Sequence, residues 1–170
     1  MKTLHAAIAL VGLLAFTAVA AAATREEEVA KYVKDLTNKD AAVRKSAADG
    51  IGKIAQVKAS AAKPALQPLL DALKDSTPSV RSAAALAVGR LDEPQEAVPA
   101  LHKLLKDEKE MSVRVAAARG LGQMGPAAKE ALPALREAWE AARAAGPSQQ
   151  PLARATRDAM DAVRGGRKKD

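Results

Sequence analysis

Apolar residues return at steps of three and four along most of the chain beyond residue 28, which predicts helices rather than strands. One set of stripes runs Val29, Tyr32, Val33 and Leu36; then Leu66, Leu69, Leu70 and Leu73; then Val98, Leu101, Leu104 and Leu105; then Leu132, Leu135, Ala138 and Trp139. After each stripe comes a second, alanine-rich helical pattern, so the chain reads as helix pairs, A followed by B. Polar and helix-breaking residues mark the ends. Thr24 and Glu27 form a capping-box pattern, and Asp40 and Thr77 stand where B helices should begin, with Pro78 at the first helical position. Gly146-Pro147 should stop the fourth A helix, and Gly165-Gly166 the last B helix. Pro68, Pro99 and Pro133 fall in register inside the A helices, which predicts three bent helices.

The B patterns repeat without gaps. Val43-Arg44-Lys45-Ser46-Ala47-Ala48-Asp49-Gly50-Ile51-Gly52 aligns with the decapeptides starting at Val80 and Val113, at offsets of 37 and 33 residues. A worn fourth copy keeps Leu152, Ala155, Ala159, Met160 and Val163 but loses the Val-Arg pair. Repeats of this length indicate stacked supersecondary units that share one core. Small Ala and Gly side chains let such helices approach closely.

The Val-Arg-x-x-Ala-Ala-x-Gly-Leu-Gly strings, with Lys63-Pro64-Ala65-Leu66-Gln67-Pro68-Leu69-Leu70 and the segment Gly125 to Leu135, resemble bacterial HEAT repeats, and more narrowly the HEAT-like repeats named after phycobilisome lyases. The resemblance covers about residues 26–163. It implies an all-α fold, a short right-handed α-solenoid of about four helix pairs, spanning roughly 24–56, 60–91, 94–124 and 126–163. It also implies that B helices line a concave face. Family function is broad: scaffolds, adaptors and a few enzymes.

On that arrangement, outward positions of the B helices follow the repeated arginine at steps of four. They are Lys45, Asp49 and Lys53; Ser82, Leu86 and Arg90; Val115, Arg119 and Gln123; and Arg154 and Asp158 in the worn copy. These form the candidate partner-binding face, with Leu86 and Val115 as its apolar centre if they are not core. Arg44, Arg81 and Arg114 recur at one position. They could form an anion-binding ladder, but regular recurrence favours a structural role, in which each bonds turn carbonyls or a nearby acid (Asp40, Asp75, Asp107 or Glu110) and ties repeats together.

Composition then narrows the function. The chain has no Cys, so it offers no disulfide, thiolate nucleophile or thiolate metal site. After a short basic start, Ala6 to Ala23 is apolar and ends in small residues, which predicts a secretory signal over 1–23, cleaved near Ala23. An uncleaved anchor is the alternative, although the run is short and mostly alanine. The product would be secreted or periplasmic, and the net charge of +7 would fall by one unit with Lys2.

The segment 164–170 is a basic tail. It could contact a polyanion, or it could close the array and keep it soluble. His102 is expected on an exposed A-helix surface, and no His/Asp/Glu cluster has metal spacing, so no cofactor, metal or catalytic constellation is expected. Tyr32 and Trp139 lie on apolar stripes, where core packing outweighs base stacking, so no specific nucleic-acid partner and no small-molecule substrate are expected either. The sequence therefore points to an exported module that binds a protein partner. The alternative is an envelope polyanion binder tethered by its tail, and a lyase-like enzyme ranks last.

Overall fold

The computed structural model describes residues 24–165; residues 1–23, where a secretory signal is expected, and residues 166–170 of the basic tail lie outside the described residues. Helix α1 spans 24–35 and α2 spans Ala41–Val57. The second A segment is α3 (Ala59–Ala62), a 3-10 turn (Lys63–Ala65) and α4 (Leu66–Ala72), followed by α5 (Pro78–Val88). The third pair is α6 (Pro94–Asp107) and α7 (Met111–Gln123). A 3-10 stretch (Gly125–Ala131) leads into α8 (Leu132–Ala144), and a short 3-10 turn (Pro147–Gln149) into α9 (Gln150–Val163). Among the described residues there is no strand.

B helices stack in order, α2 on α5, α5 on α7 and α7 on α9, while α4, α6 and α8 cover α5, α7 and α9, and Tyr32 of α1 lies against Gly50 of α2. The expected stripes supply the core: Val29 and Leu36, Leu69 and Leu73, Leu101 and Leu105, and Leu135 are buried, with Tyr32, Leu66, Leu70, Leu104 and Trp139 half-buried against them. Opposite them the B helices bury mainly Ala, with Ile51, Val80, Val88, Val113, Leu121 and Leu152 as larger side chains. Each such aliphatic side chain contributes about 1.5–3 kcal/mol when fully buried. Helices this short are marginal alone, so stability comes from stacking.

The small residues set the spacing. A Cβ added to Gly89 would stand 2.5 Å from Gly120 Cα, so α5 and α7 cross backbone to backbone. Thr156 fills a site where the aligned copies carry Ala84 and Ala117; its buried hydroxyl donates to the Leu152 carbonyl at 2.8 Å.

The prolines differ from the expectation of three equal bends. Pro99 lies inside a continuous α6. Pro68 and Pro133 instead sit in the first turn of α4 and α8, each just after a 3-10 segment. The missing N–H has no helical partner there, so the break falls before the proline. Asp40 caps α2, its Oδ1 accepting the Ala42 N–H at 2.8 Å. Thr77 is the N-cap residue of α5 but makes no side-chain cap bond. Gly146, at φ +87°, and Gly165, at φ +99°, follow α8 and α9 in the left-handed region, where glycine is favoured.

Candidate binding surface

Two of the three recurring arginines, Arg44 and Arg81, join successive turns between A and B helices. Arg44 on α2 donates from Nη1 to the carbonyls of Asn38 and Lys39 in its own turn, at 2.9 and 3.1 Å. Its Nε and Nη2 grip both oxygens of Asp75 in the next turn, at 2.6 and 2.9 Å. Arg81 repeats the geometry one pair on. It donates to the Asp75 and Ser76 carbonyls at 2.8 and 3.2 Å and to both oxygens of Glu108 at 2.7 and 3.1 Å. Paired forks of this kind are strong and directional.

The Arg44 bond, with burial opposing it and the Thr77 amide helping, holds the Asp75 carboxyl below its ordinary range. Arg81 does the same for Glu108, helped by the amides of Glu110 and Lys109. The Arg44 guanidinium is shifted upward, chiefly by its bond to Asp75.

Of the acids expected to serve this ladder, Asp75 does. Glu108 was not among them, and its neighbour Asp107 instead bonds Lys103 on the exposed face of α6 at 2.6 Å. Asp40 caps α2, and Glu110 donates its own N–H to Glu108 at 3.0 Å. A spacing rule would have found Glu108: it lies six residues before Arg114, as Asp75 lies six before Arg81. Arg114 itself bonds no acid and donates from Nε to the Leu105 carbonyl at 3.0 Å.

The B-helix candidates fall into three groups. Lys45, Asp49 and Lys53 line an open groove at the first pair, with Tyr32 and Val57; Lys45 and Asp49 are paired at 2.5 Å. Ser82, Leu86 and Val115 lie between the ends of the array and are half-buried. Leu86 and Val115 pack against the core and do not protrude as an apolar centre. The Ser82 hydroxyl oxygen is buried with no hydrogen-bond partner among the described residues. Arg90 lies across α2, with its Nη1 over Gly52.

At the far end the structure brings Arg119, Gln123 and Arg154 together with Asp158 around a groove of about 530 Å³ between α7 and α9. Its floor is small and apolar, formed by Gly122, Ala155, Ala159 and Ala162, and its rim includes Gln150 and Pro151. The floor exists because α7 and α9 meet closely: a Cβ on Gly122 would stand 3.0 Å from Ala159 Cα. Gln150, Pro151 and the alanine floor were not among the sequence candidates, because the worn repeat hides the register of α9. Volume and lining suit a side chain or short segment with an apolar stem and an acidic head.

His102 is exposed on α6. Trp139 is half-buried, with the Arg143 guanidinium 4.7 Å from its ring centroid. Among the described residues no helix is long and apolar enough to cross a membrane, and no three His, Asp or Glu side chains gather as a metal site.

Stacked helix pairs with a shared alanine seam define an all-α solenoid. A family profile described as HEAT repeats matches residues 66–150, half of the chain, and the chain belongs to that family. Among solved structures it is similar to an engineered protein, a Northeast Structural Genomics Consortium target, with 26% identity and a TM-score of 0.60. The likeness covers 81% of this chain and 63% of that one, so this chain spans less than two thirds of its length. No curated protein matches. The HEAT-repeat fold is that of scaffold and protein-interaction modules and is typically non-enzymatic.

Proposed function

We propose that the protein is an exported interaction module that seats a protein partner on its B-helix face, anchored in the groove between α7 and α9. The observation that carries this reading is the pairing of exposed Arg119 and Arg154 over a Gly/Ala floor, with Asp158 and Gln123 at the same rim. Two cations beside apolar surface complement an acidic, partly apolar segment, and such charges steer association as well as hold it. The leader over 1–23 supports export; N-terminal sequencing of the mature chain, expected to start near Thr24, tests it.

The binding test follows from the burial of Leu86 and Val115. Glutamate at those sites would disturb the core as well as the surface, so the charge-reversing pair Arg119→Glu with Arg154→Glu is the cleaner variant. A photocrosslinker at Gln123 should trap one partner in the native envelope, and one at Lys103 on the A-helix side should not. The double variant should lose the crosslink with helicity and melting unchanged; a crosslink that persists removes the groove from the proposal.

A second reading is favoured by one observation. Arg154 and Arg157 are exposed on α9, and Arg164, its C-cap residue, is exposed where the basic tail begins. This run suits a polyanion such as acidic lipid or cell-wall polymer. Heparin retention that falls steeply with salt and is lost on removing residues 164–170 would support it, and salt-insensitive retention would count against it.

A further inference from the structure

The arginine ladder has an open end. Asn38, Asp75 and Glu108 each lie six residues before a ladder arginine, in the turn between A and B helices. Their side chains share one local task, accepting the backbone N–H two residues on: Asp40 at 2.9 Å, Thr77 at 2.8 Å and Glu110 at 3.0 Å. Asp75 and Glu108 have a second task, receiving the arginine of the preceding pair. Asn38 is in the first pair and is uncharged. In the fourth pair, where Leu152 stands for the ladder valine, the acid position falls on Pro147. Arg114 therefore has no carboxylate ahead of it.

Arg114 departs from its two counterparts accordingly. It does not bond the carbonyls five and six residues back, and its Nη1 and Nη2 meet no hydrogen-bond partner among the described residues. The half-buried side chain instead lines a cavity of about 100 Å³ between α6 and α8, with His102, Lys106 and Glu137 on its walls and Leu105 and Ala138 beside them. Glu137 belongs to none of the ion pairs of the described residues.

We propose that the Arg114 fork, with Lys106 beside it, is a binding subsite for a carboxylate group supplied from outside the chain. Chemistry and size both argue for it. The same arginine position in the first two pairs holds a carboxylate by both its oxygens, and a guanidinium fork is built for that geometry. A space of about 100 Å³ admits one carboxylate group but not a whole ligand, whose pocket runs to about 300–1,000 Å³. The carboxylate therefore projects from a larger body, such as an acidic side chain or chain terminus, or is a very small free acid. The subsite lies between A helices, so it stands independently of the B-helix groove.

Backbone amide resonances of Ala134 and Ala138 in the chain without its leader provide the readout. Two probes are titrated at fixed ionic strength, a capped Gly-Glu-Gly peptide and acetate, with chloride as control. Saturable shifts are expected with a carboxylate probe and not with chloride. Arg114→Lys, which keeps the charge but removes the fork, should weaken them roughly tenfold. Tighter binding of the peptide assigns the group to a polypeptide, and equal binding to any small carboxylate. Shifts shared by chloride, or unchanged in Arg114→Lys, overturn the proposal. So does a Glu137→Gln variant whose ligand-free spectrum moves the Arg114 side-chain Nε–H resonance as far as the probes move it in the wild type, because the chain's own Glu137 would then fill the subsite.

Discussion

Arg44 and Asp75, 31 residues apart, meet through two hydrogen bonds at 2.6 and 2.9 Å. The same carboxylate also accepts the Thr77 N–H at 2.8 Å. One side chain thus fixes the geometry of its own turn and the spacing to the preceding pair. Asp75→Asn keeps an acceptor for Thr77 but loses the charge facing Arg44. We expect a loss of about 1–2 kcal/mol, the value of charge-assisted bonds reduced for partial solvent screening. Asp75→Ala should lose more, since the turn bond goes too. Urea titration followed by far-UV circular dichroism checks both; equal stability of Asp75→Asn and wild type would show that the charge adds nothing.

Acid should weaken the ladder in a defined window. Asp75 and Glu108 are held below the ordinary carboxyl range by their arginines. A carboxyl lowered in the folded state stabilises the fold above its unfolded value, about 3.9 for Asp and 4.3 for Glu. That contribution disappears as pH falls through the lower, folded value. Melting temperature should therefore be insensitive to these two groups at neutral pH and drop below about pH 4. The double variant Asp75→Asn with Glu108→Gln should start lower and show a shallower acid limb. Parallel limbs in variant and wild type would assign acid unfolding to other carboxylates.

Glycine at the helix crossings gives a prediction whose sign is decided by space. Replacing a glycine by alanine gains about 1 kcal/mol from propensity inside a helix, as at Gly52 of α2, and at most that at Gly89, the C-cap residue of α5. At Gly89 the new Cβ would stand 2.5 Å from both Cα and O of Gly120, and backbone cannot move aside without separating α5 from α7. Overpacking of that kind costs about 1–3 kcal/mol or more, so Gly89→Ala should destabilise. At Gly52 the nearest atom is Arg90 Nη1 at 3.1 Å, the end of a flexible side chain. Gly52→Ala should be neutral or stabilising by up to about 1 kcal/mol. Thermal melts of the two variants, measured side by side, test the contrast.

Most of the fold was legible because its two periods are visible in the residues: three-and-four stripes within helices, and the Val-Arg-x-x-Ala-Ala string between them. Arg44, Arg81 and Arg114 stood out as a set for the same reason. Less visible was what each arginine meets, because Glu108 and Asp107 are adjacent and composition does not choose between them. Turn geometry chooses, through the residue six before the next arginine. Leu86 and Val115 show another limit. Helix phase chooses the side of a helix on which a residue stands, not how much of that side neighbouring helices cover, and these two end at the boundary between core and surface rather than clear of it. The α7–α9 groove was half legible: Arg119, Gln123 and Arg154 could be named from one face, but its floor depends on how closely two B helices cross.

The vacant rung after Arg114 bears on how the array comes apart. Neighbouring pairs one to two and two to three are joined by an arginine fork as well as by apolar packing. Between pairs three and four, among the described residues, the join consists of the close α7–α9 contact and the apolar cover of α8, with no ion pair across it. In a nearest-neighbour array the weakest interface opens first. Trp139, on α8, reports on that pair alone. Its emission should therefore change at a lower urea concentration than far-UV ellipticity, which averages all the helices. Pro147→Glu places an acid at the empty position and should move the Trp139 midpoint upward. The gain should depend on the arginine: a double-mutant cycle with Arg114→Gln should give a coupling of about 0.5–1.5 kcal/mol. Coincident transitions in the wild type would mean that apolar contact alone holds the last pair as firmly as the others. A gain from Pro147→Glu that survives in Arg114→Gln would trace to the turn itself and not to a restored rung.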